Sequence, residues 1–391
     1  MSPNQVAVVL TPVFLGLMGL EWLVARAQGF AAYAHRQTLN NLGVFAGARA
    51  FLAALGLVPL AGYAWLLDHV APVRLPSDHW GTWVFGFFVV DLAIWLRHWA
   101  AHRTGLLWAM HAVHHQSREY NLSVASRLSW FADTVLVGLP MVALGLPLEV
   151  ASTWFVVGNL WMLVQHTETI GKLGFLDRLL VTPANHRVHH GCNPAYLDKN
   201  YGGILAVWDH LAGTFEPERE RVVYGVLTGL NTWDATENNL EPFRRLWRKM
   251  AAAPSAWVAA QMLFRPPGWS PVGGEAPPVQ QADAAPLERR PSAVVRAIAT
   301  AGTLAALAGG MVVSWNAESW PWAHRIAGCA AVWLAIALSG VALDMRPVAP
   351  VPMPTLAGRL QAAGSAALLT LAGPYARGPL YLAGKWLEPR S

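Results

Sequence analysis

The chain has 391 residues, 54% of them hydrophobic and only 13% charged, with a mean hydropathy of +0.33; soluble domains carry about 25% charged residues, so the composition excludes an ordinary soluble enzyme. Lys and Arg exceed Asp and Glu by 28 to 23, too small and scattered an excess for a nucleic-acid-binding face. The two cysteines, Cys192 and Cys329, cannot build a disulfide framework or a zinc-thiolate site.

A bilayer core about 30 Å thick takes about 20 helical residues, and apolar runs of about that size recur along the chain. Residues 6–25 hold one charge, Glu21, residues 50–67 hold none, and residues 80–96 hold only Asp91. The first run lacks the basic leader of a cleavable signal peptide and reads as a span. Residues 134–148 and 150–165 are shorter and are expected to dip into the membrane and return as a helical hairpin. Residues 168–249 turn polar and belong on a membrane face.

Residues 265–291 hold seven prolines among Gly, Ala and Gln, a composition that reads as a linker. Three further apolar runs follow at 297–317, 326–343 and 360–376. The expected fold class is all-α, a polytopic integral membrane protein with a helical bundle carrying the chemistry. The expected organisation is N-terminal transmembrane helices over 1–79, a catalytic domain over 80–250, a Pro/Ala-rich linker over 251–292 separating two membrane modules, and C-terminal transmembrane helices over 293–391. Arg26, Arg36 and Arg49 fall between the first two runs, whereas residues 68–79 offer Arg74 beside two aspartates. By the Lys/Arg bias the first of these loops is cytoplasmic, which puts the end of the 80–96 span on that face as well.

Of 14 histidines, nine stand in a pattern: His98 and His102 as HxxxH, His111, His114 and His115 as HxxHH, a single His166, and His186, His189 and His190 as a second HxxHH. These are the i, i+3, i+4 spacings of one helical face. At the chain's own histidine frequency one HxxHH arises by chance about 0.02 times, so two of them point to metal binding. Taken alone, His166 is more often an interior histidine than a ligand. His35, His69, His79 and His324 lack partners at ligand spacing and read as loop or interfacial residues, and His210 stays open. Eight or nine imidazoles exceed the shell of one ion, so two metals are implied; imidazole suits iron, zinc, copper and nickel, and an oxygen-activating iron pair beside a lipid fits best. Asp91, Glu119, Glu168 and Asp209 are candidate acceptors for the second ring nitrogens, and Asp91, as an intramembrane carboxylate, is a functional candidate in its own right.

The order HxxxH, HxxHH, single His, HxxHH among membrane helices resembles the fatty acid hydroxylase / sterol desaturase superfamily of membrane di-iron oxygenases, over roughly residues 80–247. The runs at 120–123, 166–168, 182–183, 186–191, 198–203, 208–209 and 213–216 are similar to its alkylglycerol monooxygenase branch. The resemblance implies that residues 80–250 form a fatty acid hydroxylase-like di-iron domain. Its implied metal ligands are the nine histidines, His166 among them, with Glu168 as a site-lining acid. It further implies two Fe ions, O2 as co-substrate, a lipid substrate drawn from the bilayer, and an electron donor that is a pterin (tetrahydrobiopterin) or a redox protein. Arg118 stands where relatives commonly have an acid, His210 where they have Arg or Lys, and Cys192 where they usually have Arg.

Hydroxylation of an ether lipid is the leading expectation. Sterol desaturation and fatty acyl or carotenoid hydroxylation use the same centre and are the enzymatic alternatives. A membrane metal-binding or transport protein is the alternative of another kind. Transport predicts ionisable residues spread through several spans at mid-membrane depth, whereas here they gather near helix ends.

Overall fold

The computed structural model describes residues 3–55, 58–131, 135–227, 232–271 and 292–344. Among them every regular element is a helix, and the loops hold two isolated β-bridges. α1 (Pro3–Ala27) leaves Val9, Leu10, Val13, Leu20 and Leu23 exposed, the apolar surface of a helix that meets lipid. α2 (His35–Leu55) and α3 (Val58–His69) are bent by 49°. α4 (Trp80–Arg103) runs on through both histidines of HxxxH, and α5 (Gly105–His115) carries the first HxxHH.

After the single turn α6 (Leu122–Ala125) come α7 (Val135–Ala143) and α8 (Leu148–Gln165), the two arms of the hairpin expected from the sequence. Both of its arms pack against α4 around Val89, Val90, Ile94, Met141, Leu146 and Val150. The polar stretch folds into short helices, α9 (Leu176–Leu179), α10 (Pro183–His189) and α11 (Val207–Ala212), followed by α12 (Ala235–Ala251) and α13 (Ala256–Phe264). α14 (Ala293–Trp315) and α15 (Trp322–Asp344) complete the described chain. By length and composition α1, α4, α14 and α15 can each cross a membrane, and the bent α2–α3 pair would make a fifth span.

Three sequence expectations change. The run at 50–67 is not one helix: α2 starts at His35, and the bend divides the run. Arg36 and Arg49 therefore lie within α2 rather than in a loop, and Arg49 is directed at Asn4 and Ser314 near the opposite end of α2 from Arg36. Second, α14 and α15 are not a separate membrane module. They pack on each other and on α2 through small residues, Ala46, Ala50 and Ala53 against Ala306 and Val332, because small side chains let apolar helices approach closely. The Thr303 and Ser339 hydroxyls lie 2.8 Å apart between α14 and α15, and Cys329 Sγ donates to Ala50 O at 3.0 Å. Third, residues 256–264, placed by composition in the linker, form α13, which packs against α5 and α12. The run at 360–376 and residues 272–291 of the linker lie outside the described residues.

One buried acid ties the lipid-facing α1 to the polar half. Glu21 accepts hydrogen bonds from Thr167 Oγ1 at 2.6 Å, from the Leu122 backbone N–H at 2.8 Å and from the Tyr33 hydroxyl. It thereby fixes the end of α1 to α6 and to the loop that follows α8.

Candidate metal centre

Four helical elements meet at one end of the bundle, and each contributes histidines there. His98 and His102 occupy the last turns of α4, His111, His114 and His115 the end of α5, and His166 caps α8. His186 and His189 lie on α10, with His190 as its cap. α10 is short but firmly started: Thr182 is its N-cap, Pro183 its first residue, and the Thr182 and Asn185 side chains form a reciprocal capping box. All nine imidazoles are buried.

Their nitrogens gather into two groups, each with all its candidate ligand atoms within 4.8 Å of one another: His98, His102, His111, His115 and His189 in one, His114, His166, His186 and His190 in the other. The division does not follow the motifs. Each HxxHH sends its i and i+4 residues (His111 and His115; His186 and His190) to one group and its i+3 residue (His114; His189) to the other. At 100° per residue, adjacent histidines such as His114 and His115 diverge around the helix, so one motif serves two neighbouring points. The groups abut, with the His115 and His190 rings 4.4 Å apart.

Within the first group Nε2 of His111 lies 3.1 Å from that of His98 and 3.1 Å from that of His115, and Nε2 of His189 lies 3.2 Å from that of His115. In the second, Nε2 of His166 lies 3.2 Å from those of His114 and His186. Nitrogens bound to one ion at about 2.1 Å sit roughly 3.0–3.4 Å apart for angles between 90° and tetrahedral. Nε2 of His102 and of His190 are buried without a hydrogen-bond partner, a costly state for a polar atom unless something other than the protein engages it. The residues therefore fit two ions, five imidazoles for one and four for the other, an all-nitrogen donor set suited to iron, zinc, copper or nickel.

Three of the second ring nitrogens face backbone carbonyls. Nδ1 of His98 lies 2.9 Å from Tyr201 O, Nδ1 of His189 2.9 Å from Lys199 O, and Nδ1 of His166 2.7 Å from Met162 O. A carbonyl can only accept, so in these three rings Nδ1 carries the proton and Nε2 is left as the free lone pair. Two of the three carbonyls belong to the loop 198–205. Asp198 and Asn200 adopt left-handed backbone conformations, φ 58° and 55°, which short polar residues tolerate better than most. A Cβ on Gly202 would come 2.5 Å from Val181, and one on Gly203 3.0 Å from Asp91, so glycine is required for this approach.

Asp91 and Asp209 hold that loop. Asp209 accepts from the backbone N–H groups of Tyr201 and Gly202 at 2.9 and 2.8 Å, from Trp95 Nε1 at 3.0 Å and from Thr214 Oγ1 at 2.7 Å. Asp91 accepts from the N–H groups of Ile204 and Leu205 at 2.7 and 3.2 Å and from Trp208 Nε1 at 2.9 Å. Their partners are thus backbone N–H groups, indoles and a hydroxyl rather than imidazoles, and they position the loop whose carbonyls face the histidines. Glu119 accepts from the Ala34 backbone N–H at 2.9 Å. Glu168 is exposed and accepts from the Tyr224 hydroxyl at 3.0 Å. Tyr224 stacks on Tyr120 at 4.9 Å, and Tyr120 on His166 at 5.6 Å, so two stacked tyrosines link the Glu168 carboxylate to the His166 ring.

Burial, reinforced by neighbouring imidazoles, lowers the pKa of His111, His114, His115, His186 and His190 well below that of a free histidine. His166 and His189 are lowered to about 4, again foremost by burial. All seven are neutral at pH 7, the form that ligates metal.

The other five histidines lie elsewhere. His79 caps α4 by accepting from Gly81 N, His69 stacks on Trp65, and His35 contacts Thr300. His324 lies near Trp320, and the open case, His210, stacks on Phe215 with Nε2 3.0 Å from Arg178 O. Sequence reading gave no role to Tyr120, to Tyr201, whose ring packs 5.2 Å from that of His102, or to Glu21 as an anchor. Only the run at 198–203 hinted at the loop, and nothing in it told which carbonyls face the metal ligands.

Residues 83–214 match the model of the fatty acid hydroxylase family, as the histidine order suggested. Alkylglycerol monooxygenase of Homo sapiens is 34% identical over 265 residues, covering 67% of this chain and 59% of that protein. The protein of the same name from Xenopus tropicalis is 35% identical over 216 residues, 55% of this chain and 48% of that one. Ornithine lipid hydroxylase OlsE of Rhizobium tropici is 32% identical over 171 residues, 42% of this chain and 51% of that one. The chain thus spans about half to three-fifths of the length of these relatives. No solved structure matches it.

Proposed function

We propose that this chain, which carries a fatty acid hydroxylase domain over residues 83–214, is an O2-dependent di-iron monooxygenase that hydroxylates an aliphatic C–H bond of a membrane lipid. The observation that carries the reading is the gathering of nine buried imidazoles into a group of five and a group of four. Bound there, a pair of irons would supply activation of O2. The balance is R–H + O2 + 2 e⁻ + 2 H⁺ → R–OH + H2O, with the electrons from a reduced pterin, tetrahydrobiopterin, as donor.

The chain's own residues bind and exclude. His98, His102, His111, His115 and His189 would hold one ion, and His114, His166, His186 and His190 the other. Tyr201, Lys199 and Met162 fix three of the rings through their carbonyls, and burial keeps bulk water from the centre. The centre lies at the end of α4, so an acyl-length chain can enter from the apolar side while its polar head stays at the membrane surface. We place that surface on the cytoplasmic side.

Similarity to alkylglycerol monooxygenases supports a glyceryl ether as substrate. Hydroxylation of the carbon beside the ether oxygen gives a hemiacetal, which separates into a fatty aldehyde and glycerol. Similarity to an ornithine lipid hydroxylase supports a second reading, hydroxylation of an amino lipid without cleavage. The test supplies purified iron-loaded protein with O2, tetrahydrobiopterin and an alkylglycerol, and follows fatty aldehyde. Aldehyde formation that needs both O2 and pterin is expected. No aldehyde, together with a lipid product heavier by one oxygen, would move the assignment to the second reading.

A further inference from the structure

Arg187 stands inside the second HxxHH, directly after His186, and its guanidinium bonds to two other segments of the chain. Nε and Nη2 donate to Glu218 Oε1 and Oε2 at 2.9 and 2.8 Å, while Nη1 donates to Thr167 O at 3.0 Å and to Ile170 O at 2.8 Å. Arg187 is buried and Glu218 half-buried. A buried cation is costly unless it is paired and hydrogen-bonded, and the bidentate carboxylate with the two carbonyls meets both needs. The planar fork fixes these partners relative to one another.

The segments so joined carry most of one histidine group. Thr167 follows His166, the cap of α8, and Arg187 lies on α10 between His186 and His190, so three of the four members of the second group stand beside the clamp. Thr167 is held a second time, its hydroxyl donating to Glu21 at 2.6 Å. Within that group Nδ1 of His114 and of His186 is buried without a hydrogen-bond partner. No hydrogen bond at Nδ1 orients those two rings, so their aim depends on where the backbone is held. The group of five draws only His189 from α10, and that ring has its own acceptor in Lys199 O at 2.9 Å.

We infer that Arg187, anchored by Glu218, is the positioning residue of the four-histidine group: it sets the place of His166 relative to His186 and His190 and thereby the affinity of that group alone for its ion. The inference rests on the reading that each group holds one ion. The two groups are then organised by different devices, the group of five by the loop that Asp91 and Asp209 hold, the group of four by a guanidinium fork between α10 and the end of α8.

Chelator competition on the full chain in detergent, loaded with iron(II) without oxygen and followed by metal analysis, tests it. The variant is Arg187→Lys, which keeps the charge, although one ammonium cannot span Glu218 and both carbonyls as the fork does. Wild type should hold two ions; fewer would sink the reading on which the inference rests. With two in wild type, Arg187→Lys should hold one of them about 10–100-fold more weakly, the range for groups that orient ligands, and the other as wild type does. In a His166→Ala background, which keeps only the group of five, Arg187→Lys should leave the affinity of the remaining ion unchanged. Glu218→Gln, which removes the anchoring charge, is read in the same way if Arg187→Lys does not fold. Equal weakening of both ions, the result of a merely structural salt bridge, or weakening of neither, would overturn the assignment while leaving the two-ion reading in place.

Discussion

Asp209 accepts the backbone N–H of Tyr201 at 2.9 Å, and the carbonyl of that same Tyr201 faces Nδ1 of His98 at 2.9 Å. A carboxylate that touches no histidine thus sets the tautomer and orientation of one through a single peptide unit. In Asp209→Asn the amide nitrogen would meet either the Gly202 N–H or the donors on the other side, and in Asp91→Asn it would meet donors on both sides. Both variants should lower metal affinity by about 10–100-fold, the range for groups that orient metal ligands. Competition with a chelator, followed by metal analysis, measures this; unchanged affinity in both would show that the loop keeps its place without them.

The five-and-four division predicts separable losses. His102→Ala should leave the group of His114, His166, His186 and His190 intact and reduce bound iron from two ions per chain to one, and His166→Ala should do the same through the other group. Turnover should vanish in both, because ligands of a shared centre act as a unit. His69→Ala and His324→Ala should keep full metal content. Loss of both ions from every single variant would mean that the groups load only together.

Glu119 predicts a pH dependence. Burial raises its carboxyl from an ordinary value of 4.5 to about 7, so the folded chain holds this proton more tightly than the unfolded one. Its contribution to stability is therefore fully present below pH 4.5 and is lost as pH rises through 7. Glu119→Gln keeps an oxygen for the Ala34 N–H and removes the charge. It should match wild type near pH 4.5 and exceed it by about 2 kcal/mol at pH 8. Thermal melts of the two proteins across this range give the comparison, and a gap that does not widen with pH would refute it.

The cytoplasmic placement of the metal centre is open to labelling. Arg219 has a side chain 73% exposed and pairs with Glu216, three residues before it, on the polar half that carries α10. In a chain with Cys192 and Cys329 changed to Ser, Arg219→Cys should react with a membrane-impermeant maleimide in broken cells and not in intact ones. Labelling of intact cells would reverse the orientation.

The sequence by itself determined the class of this protein and the identity of its nine candidate ligands. Apolar runs of spanning length need only counting, and imidazoles at i, i+3 and i+4 stand out at the chain's histidine frequency. It also marked Asp91 as unusual, since a carboxylate in an apolar run is rare, and named Asp209 as a candidate acceptor. Their task was not legible, because it depends on a loop 113 positions from Asp91 that crosses the end of α4. The start of α2, the docking of α14 and α15 on it and the helix at 256–264 were also decided by tertiary packing. Small residues read as featureless in a sequence and become interfaces only when a partner helix is at hand. The same holds for the division of the histidines. Spacing alone puts His111, His114 and His115 on one face of α5, but the 100° between adjacent residues sends His114 and His115 to different groups, and only the positions of α8 and α10 fix which histidines each one joins.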